Sequence, residues 1–337
     1  MDWFEKLTGI SERDWAKSRA GLNVEGDQLR STFNGRSFGV GTLQMPSLNE
    51  LREDVVNASQ ATSRLRVSLR SGDVRAMHRL PEFAGALFQV ASQFNMLEMM
   101  SPDRTPEYGV TCYEGDPTQG PACAIAAGAA TIYRNYFAMV DGVPGQTAAR
   151  QLDGLSEIGN ALSQSIGRPV STLWTMRNGY ALSSQEALDA IAQYLTGLSA
   201  EAVDQLRGHL RIGLHQDVEV TDGMQGAGPK VSQSFCSALP VAYSAVASAH
   251  WAPLATLVLE AAYEATLLAA ALNASRGRSN LVLLTRLGGG AFGNADAWIH
   301  GAMQRALHKA ASFDLQVVLV SHGAPSPALL RMANDFA

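Results

Sequence analysis

The sequence predicts an α/β fold, and three observations carry that reading. Leu281-Val282-Leu283-Leu284 and the run from Leu315 to Val320 are short, apolar and rich in β-branched residues, as buried strands are. Between them Trp298, Ile299, Met303, Ala306 and Leu307 recur at helical spacing from Asp296 onward. Gly288-Gly289-Gly290-Ala291-Phe292-Gly293-Asn294 joins the first strand to that helix. Strand, glycine loop, helix and strand is an α/β unit. Its glycines let main-chain N–H groups crowd a ligand, and the helix start favours an anion. A phosphate-bearing ligand is the first expectation.

Composition narrows the class. The chain has 337 residues, 46% hydrophobic and 17% charged, which suits a globular protein with a sizeable core. A formal net charge of −5 leaves no basic footprint, so nucleic acid is not expected as a partner. Cys112, Cys123 and Cys236 are too widely spaced for a disulfide framework or a zinc site, and a reducing, cytoplasmic setting is expected. Met1-Asp2-Trp3-Phe4-Glu5 does not read as a Sec signal peptide, and effector-type delivery is not legible in a sequence. Trp251 to Leu272 is the most apolar stretch. It carries Glu260 and Glu264 and lacks flanking basic anchors, so a buried helix is expected and no membrane contact.

Taken in order, residues 1–62 read as an N-terminal extension and 63–337 as the main domain. Leu29-Ser31-Phe33 and Phe38-Val40 alternate around Asn34-Gly35, a hairpin signal. Ser47 caps a helix and Glu50 completes a capping box, with Leu48, Leu51 and Val55 on one face. Leu65, Val67 and Leu69 alternate with arginines in a half-exposed strand. Leu87 to Ala91 is an apolar strand that ends in the polar cluster Ser92-Gln93-Phe94-Asn95, where open α/β sheets bind ligands.

A long loop follows, from Met96 to Gln119, carrying Glu98, Asp103, Glu107, Glu114 and Asp116. Loops of that length in compact domains tend to be functional or disordered. Thr118-Gln119-Gly120 leads to Pro121, which suits a first helical turn, and a helix from Ala122 to Phe137. Two loops feeding helix N-termini would grip a diphosphate from both sides. Gln146 to Gln164 reads as a helix, Val170 to Met176 as a strand ending at Asn178-Gly179. Ser183 to Leu210 reads as two helices forming an insertion or lid, the second capped by Ser199. Ile212 to Val220 and Val231 to Phe235 read as strands, and a long apolar helix begins near Ser244.

Several chemistries compete for these residues. Gly288, Gly290 and Gly293 satisfy G-x-G-x-x-G, the mark of a dinucleotide-binding oxidoreductase. The acidic residue expected about twenty positions later is missing, since the next strand ends in Ser321-His322-Gly323. No Lys-Ser or Lys-Thr follows the glycines, which excludes a P-loop. His215-x-Asp217 lacks a third ligand at metal spacing, so no metal is expected. There Asp217 and Glu219 read as solvated or as reaching into the cleft. Cys123 opens a helix, but no His or Asn is placed to partner it as a nucleophile, and a small buried residue is the better reading.

With those motifs in hand, the chain resembles a divergent macrodomain, the ADP-ribose-binding fold. Gly72-Asp73-Val74 matches that family's Gly-Asp-Ile turn, and Asn95 falls on the last Asn of its strand-end cluster. Gly290-Ala291-Phe292-Gly293 matches its Gly-x-Phe-Gly loop, and the motifs run in family order over roughly residues 64–323. The family's first glycine run is replaced by Pro117-Thr118-Gln119-Gly120-Pro121-Ala122, and the acidic loop is an expansion. The stretch from Phe94 to Phe137 and the Phe235–Pro240 run look similar to bacterial effector macrodomains of the MavL type, which remove ADP-ribose from ubiquitin.

The resemblance implies a three-layer α/β/α mixed sheet, no cofactor, and ADP-ribose or an ADP-ribosylated protein, with ubiquitin as one acceptor, as partner. It implies that Asp73 accepts from the adenine amino group while the Val74 amide contacts the ring. Phe94 and Asn95 lie at the distal ribose. Gly289, Gly290, Ala291, Phe292 and Gly293, with Gly288 and Asn294 at their ends, cradle the diphosphate, and Phe292 packs on the sugar; Thr118, Gln119 and Gly120 stand where the family's first glycine loop would bind. Hydrolysis of an ADP-ribosyl bond needs a carboxylate to activate water at an oxocarbenium-like anomeric carbon. Asp116 is the first candidate, Glu114 the second and Glu98 the third. The leading expectation is an ADP-ribosylhydrolase, and the alternative a non-catalytic ADP-ribose reader.

Overall fold

The computed structural model describes residues 1–58 and 63–336, so the boundary drawn at residue 62 lies outside the described residues. Its centre is a seven-stranded sheet, whose strands are β1 (Thr42–Gln44), β2 (Arg66–Ser71), β3 (Leu87–Ser92), β4 (Gly213–Glu219), β5 (Lys230–Ser237), β6 (Leu281–Leu284) and β7 (Gln316–Ser321). Their spatial order is β1-β4-β5-β3-β6-β7-β2. The five strands from β5 to β2 are parallel, and β4 runs antiparallel to both β5 and β1.

Helices of eight residues or more are α1 (Leu48–Asn57), α2 (Gln119–Ala126), α3 (Gly128–Tyr136), α4 (Ser156–Ile166), α5 (Gln185–Thr196), α6 (Ala200–Arg207), α7 (Ser248–Ser275), α8 (Asp296–Lys309) and α9 (Pro327–Asp335). They cover the sheet on both sides, and the strand pattern shows how. Along β6, Val282 and Leu284 join the core beneath α7 and α8, while Leu283 joins the opposite core with Val74, Met77, Cys123 and Ala127. In β7, Val317 and Leu319 take the first side and Val318 the second. Period-two alternation with both faces apolar is what a parallel sheet between two helical layers requires. The fold is therefore a three-layer α/β/α mixed sheet.

α7 is long and apolar enough to cross a membrane, yet nearly all of it is buried against the sheet and against α1, α5 and α8. Its two carboxylates are answered by cations on other helices. Glu260 pairs with Arg207, and Glu264 with Arg52 at 2.7 Å and Arg305 at 2.6 Å.

Ser47 caps α1 with the reciprocal Glu50 bonds of a capping box. Leu29 pairs with Phe38 around the Asn34-Gly35 turn. Elsewhere the chain departs from the expectations. The N-terminal residues are integral: β1 forms the sheet edge, and Trp3, Phe4, Leu22 and Leu29 share a core with Tyr113, Ile132 and Tyr136. The helix expected over 122–137 begins at Gln119 and breaks at Ala127 into α2 and α3, with Trp3 packed against Gly128 where a side chain would sit. Helix α4 starts only at Ser156: Gln146 accepts from the Leu152 amide and Asp153 from the Leu155 amide, which holds the preceding segment in irregular conformation. Val170–Leu173 is a short helix, and only Thr175–Arg177 is strand, pairing with Tyr180–Leu182 through Asn178-Gly179. Both turn residues have positive φ, 48° and 80°, as a tight hairpin turn demands. The α5–α6 pair is not a lid: Leu188, Ile191 and Leu206 bury into the main core.

Candidate functional site

The sheet opens at one point. β3 pairs with β6 only at Leu87 and Phe88, so the two strands diverge toward their C-terminal ends. The helix after β3, α2, lies on one face of the sheet and the helix after β6, α8, on the other. Adjacent parallel strands whose connections leave to opposite faces form a topological switch point, where a crevice opens beyond the strand ends. A cleft of about 480 Å³ lies there.

The exposed edge that β3 leaves is filled by a side chain. Gln119 Oε1 accepts from the Ala91 amide at 2.7 Å, and its Nε2 donates to the Gln89 carbonyl at 2.9 Å, as a neighbouring strand would. This seats the start of α2 against β3. A Cβ at Gly120 would collide with the Ala91 carbonyl oxygen, so that position must be glycine. The amides of Gln119 and Gly120, in the first turn of α2, have no intrahelical acceptor.

On the opposite bank, the loop after β6 is folded by its own main chain. Leu287 donates to Thr285, Gly289 to Arg286, Gly293 to Gly290, and Asn294 to Gly288. Among the described residues the amides of Gly288, Gly290, Ala291 and Phe292 donate to no protein acceptor. Gly288 requires its φ of 72°, whereas a Cβ at Gly290 would meet open space. Arg286 is the one arginine or lysine lining the cleft among the described residues. Its Nη2 donates to the Gly289 carbonyl at 2.6 Å, and its Nε lies 3.0 Å from Asp296 at the start of α8.

Lining residues follow strand order. Asp73, Val74 and Ser321 come from β2 and β7 at one end; the glycine loop faces Thr118–Gly120 in the middle; Glu98, Met99, Tyr180 and Tyr243 close the end beyond β3 and β5. At about 4.8 Å per strand spacing, three spacings separate β2 from β3, or ~14 Å. The cleft is elongated. Tyr180, Tyr243 and Phe292 form a cluster of tilted rings with centroids 5.0–5.6 Å apart at the Glu98 end.

Glu98 is buried, lines the cleft and faces Arg134, whose Nη2 lies 3.4 Å from Oε1. Its amide donates to Tyr113 Oη at 3.0 Å. Oε2, itself buried, has no hydrogen-bond partner among the described residues. Burial pushes the carboxyl up to about 7, and the Arg134 charge pulls the other way without cancelling it. A carboxyl that titrates near neutrality and keeps one oxygen free is suited to moving a proton.

The structure reorders the expected acids. Asp116 lines the cleft, with Oδ1 accepting from the Thr118 amide at 2.8 Å, but is partly exposed. Glu114 is exposed and off the cleft, since the Thr111–Gly115 turn presents Tyr113 inward instead. Asp217 pairs with Arg278 at 3.0 Å, and Glu219 accepts from the Gly39 amide at 2.7 Å, so neither reaches in.

Asn95 and Phe94 are not at the cleft either. Phe94 packs in the main core. Asn95 Nδ2 donates to Gln151, its Oδ1 accepts from the Leu97 amide, and its carbonyl accepts from Gln146, so every polar atom of the side chain is committed. Gly293 and Asn294 close the loop but do not line the cleft: Asn294 Nδ2 donates to the Leu239 carbonyl at 2.8 Å. Asp73, Val74, Thr118, Gln119, Gly120 and the run from Gly288 to Phe292 do line the cleft.

Sequence reasoning missed Tyr180, Tyr243, Thr285, Arg286 and His300, all of which line it. Arg286 adjoined the recognised glycine loop and was legible as a cation beside it. Tyr180 arrives on a hairpin that no local signal ties to this cleft.

No family model matches the chain, and no curated protein matches it. Among solved structures it is similar to the poly(ADP-ribose) glycohydrolase of Thermomonospora curvata, at 14% identity and a TM-score of 0.45, over 99% of this chain and 98% of that one. The same enzyme bound to the inhibitor ADP-HPD gives 14% and 0.45, over 99% and 97%. The poly(ADP-ribose) glycohydrolase of Deinococcus radiodurans in complex with ADP-ribose gives 14% and 0.43, over 97% of each chain.

Proposed function

We propose that the protein is an ADP-ribosylhydrolase, which binds ADP-ribose attached to a protein side chain and cleaves the glycosidic link with water. The carrying observation is one elongated cleft with two facing banks of uncommitted amides and, at one end, the buried Glu98 carboxyl. Opposed amides with Arg286 suit a diphosphate, which needs several donors and little else. The ~14 Å from β2 to β3 suits a ligand with a group on either side of its diphosphate. Asp73 then accepts from adenine at the far end, and the anomeric carbon sits by Glu98.

In this reaction the water oxygen bonds to the anomeric carbon as the carbon's bond to the side-chain nitrogen or oxygen breaks. The bonding pair leaves with the side-chain atom. Glu98 takes the proton that water loses, the departing atom takes one proton from solvent, and Glu98 then returns its own to solvent. The ligand's own diphosphate offsets the positive charge that develops on the ribose. Asp116, held by the Thr118 amide, is the second carboxylate of the cleft.

The test is a calorimetric titration with ADP-ribose, run beside Gly290→Glu, followed by hydrolysis assays on mono-ADP-ribosylated proteins. Because Gly290 faces open space, the variant should fold normally and place a carboxylate against the diphosphate. A loss of at least tenfold in affinity is expected. ADP-ribosylated ubiquitin, the acceptor implied by the sequence resemblance, belongs among the substrates, with arginine-, serine- and glutamate-linked proteins beside it. Binding without release of ADP-ribose from any of them would leave a reader module, and no binding at millimolar ligand would end both readings.

A further inference from the structure

Beneath the cleft lies an ion pair shielded from solvent. Arg134, on α3, has no exposed surface, and its guanidinium is held through Nε, Nη2 and one face, with Nη1 buried and unpartnered among the described residues. Nε donates to the Met96 carbonyl at 3.1 Å, Nη2 donates to Thr131 Oγ1 at 3.1 Å, and the plane lies 3.7 Å from the centroid of the Phe235 ring. A side chain so fixed has one orientation. Its remaining contact is Glu98 Oε1. An arginine buried at this cost needs a reason, because a well-packed apolar residue would serve stability as well or better.

We infer that Arg134 is a positioning residue for Glu98, its guanidinium fixing Oε1 so that Oε2 is presented to the cleft. This deepens the hydrolase reading and rests on it. The groups around the pair agree. Tyr113, from the Thr111–Gly115 turn, anchors the Glu98 amide; Cys123 on α2 is buried and uncharged; His215 on β4 is buried beside Arg134, where that cation and burial together keep it neutral. Arg134 is thus the cation that opposes the burial of the Glu98 charge.

Arg134→Met and Arg134→Lys in the full chain test this, with two readouts. The first is the carboxyl titration of Glu98, followed by carbon NMR with Glu98→Gln as the assignment control; it needs no activity. The second is the pH profile of kcat/KM. In Arg134→Met the Glu98 midpoint should move up by at least one pH unit. The kcat should fall at least tenfold at pH 7, with the Kd for ADP-ribose within twofold of wild type. Arg134→Lys should lie between, because it keeps the charge and loses the fixed plane. If Arg134→Met does not fold, the lysine variant decides alone. An unmoved Glu98 midpoint in a folded variant overturns the inference. A moved midpoint in a protein that hydrolyses nothing would keep the inference and remove the hydrolase reading.

Discussion

At the residue scale, the chemistry rests on a carboxyl that is uncomfortable where it sits. Glu98 has a folded pKa of about 7 against an ordinary value near 4.5. Since the folded value is the higher, its contribution to stability is full below about 4.5 and is lost as pH rises through 7. Over the same range the group becomes a base. Activity should therefore climb through about pH 7 to a plateau, and stability should not follow it. Glu98→Gln should lower kcat by about 10²–10⁴ while leaving ADP-ribose binding intact, the range that loss of a general base gives. An unchanged kcat would move the role to Asp116. Asn95 makes the converse case. Its side chain is spent on Gln151 and the Leu97 amide, so Asn95→Ala should cost about 1–3 kcal/mol in denaturant titration. Ligand affinity should change only as far as the loop it supports relaxes.

At the element scale, the short helix Val74–Met77 brings Asp73 and Val74 to the cleft, and a histidine holds it down. His78 stacks on Phe88 at 3.8 Å, and its Nδ1 lies 2.8 Å from the Val74 carbonyl. A carbonyl only accepts, so Nδ1 carries the proton and Nε2 accepts from Gln233 Nε2 at 3.1 Å. Protonation would set two donors against each other. Burial accordingly pushes His78 down to about 4. A depressed folded value means that its stabilising contribution is complete above about 6.5 and is lost as pH falls toward 4. The loss amounts to about 3 kcal/mol. His78→Gln should flatten that part of the stability curve, and a slope identical to wild type would show that other groups govern it.

The same element shows what a sequence gives away. Gly72-Asp73-Val74 was legible because a turn has local chemistry, as were the Ser47 capping box and the apolar, β-branched runs of β6 and β7. What stayed hidden depends on partners distant in sequence. The 122–137 run has continuous helical propensity, yet Trp3 against Gly128 accompanies a break at Ala127. Glu98 reads as one loop acid among five, and only the arrival of α3 with Arg134 singles it out. Asn95 was misplaced because a strand-end amide looks alike whether it faces a ligand or Gln151.

At the scale of the whole molecule, two polar clusters tie peripheral segments to the core, and they predict different outcomes. Glu264 in α7 gathers Arg52 from α1 and Arg305 and Lys309 from α8. None of these four residues lines the cleft. Arg52, Arg305 and Lys309 also pair with Asp204 of α6, so they keep a second carboxylate; Glu264→Ala should destabilise by about 1.5–3 kcal/mol, the loss of charged hydrogen bonds, while Kd for ADP-ribose holds below the melting range. Glu12 is the other case. Its carboxylate accepts from the Val110 amide at 2.9 Å, the Thr111 amide at 2.5 Å and the Tyr136 hydroxyl at 2.6 Å. One N-terminal side chain thus fastens the loop that runs between Glu98 and Asp116, and also the end of α3, the helix that carries Arg134. Glu12→Ala leaves those donors buried without an acceptor, a cost of about 2–4 kcal/mol. Because the freed segment borders the cleft at both its acids, KM for an ADP-ribosylated substrate should rise as well. Stability lost with KM unchanged would mean that the N-terminal segment supports the fold alone. Both changing together would make it part of the site.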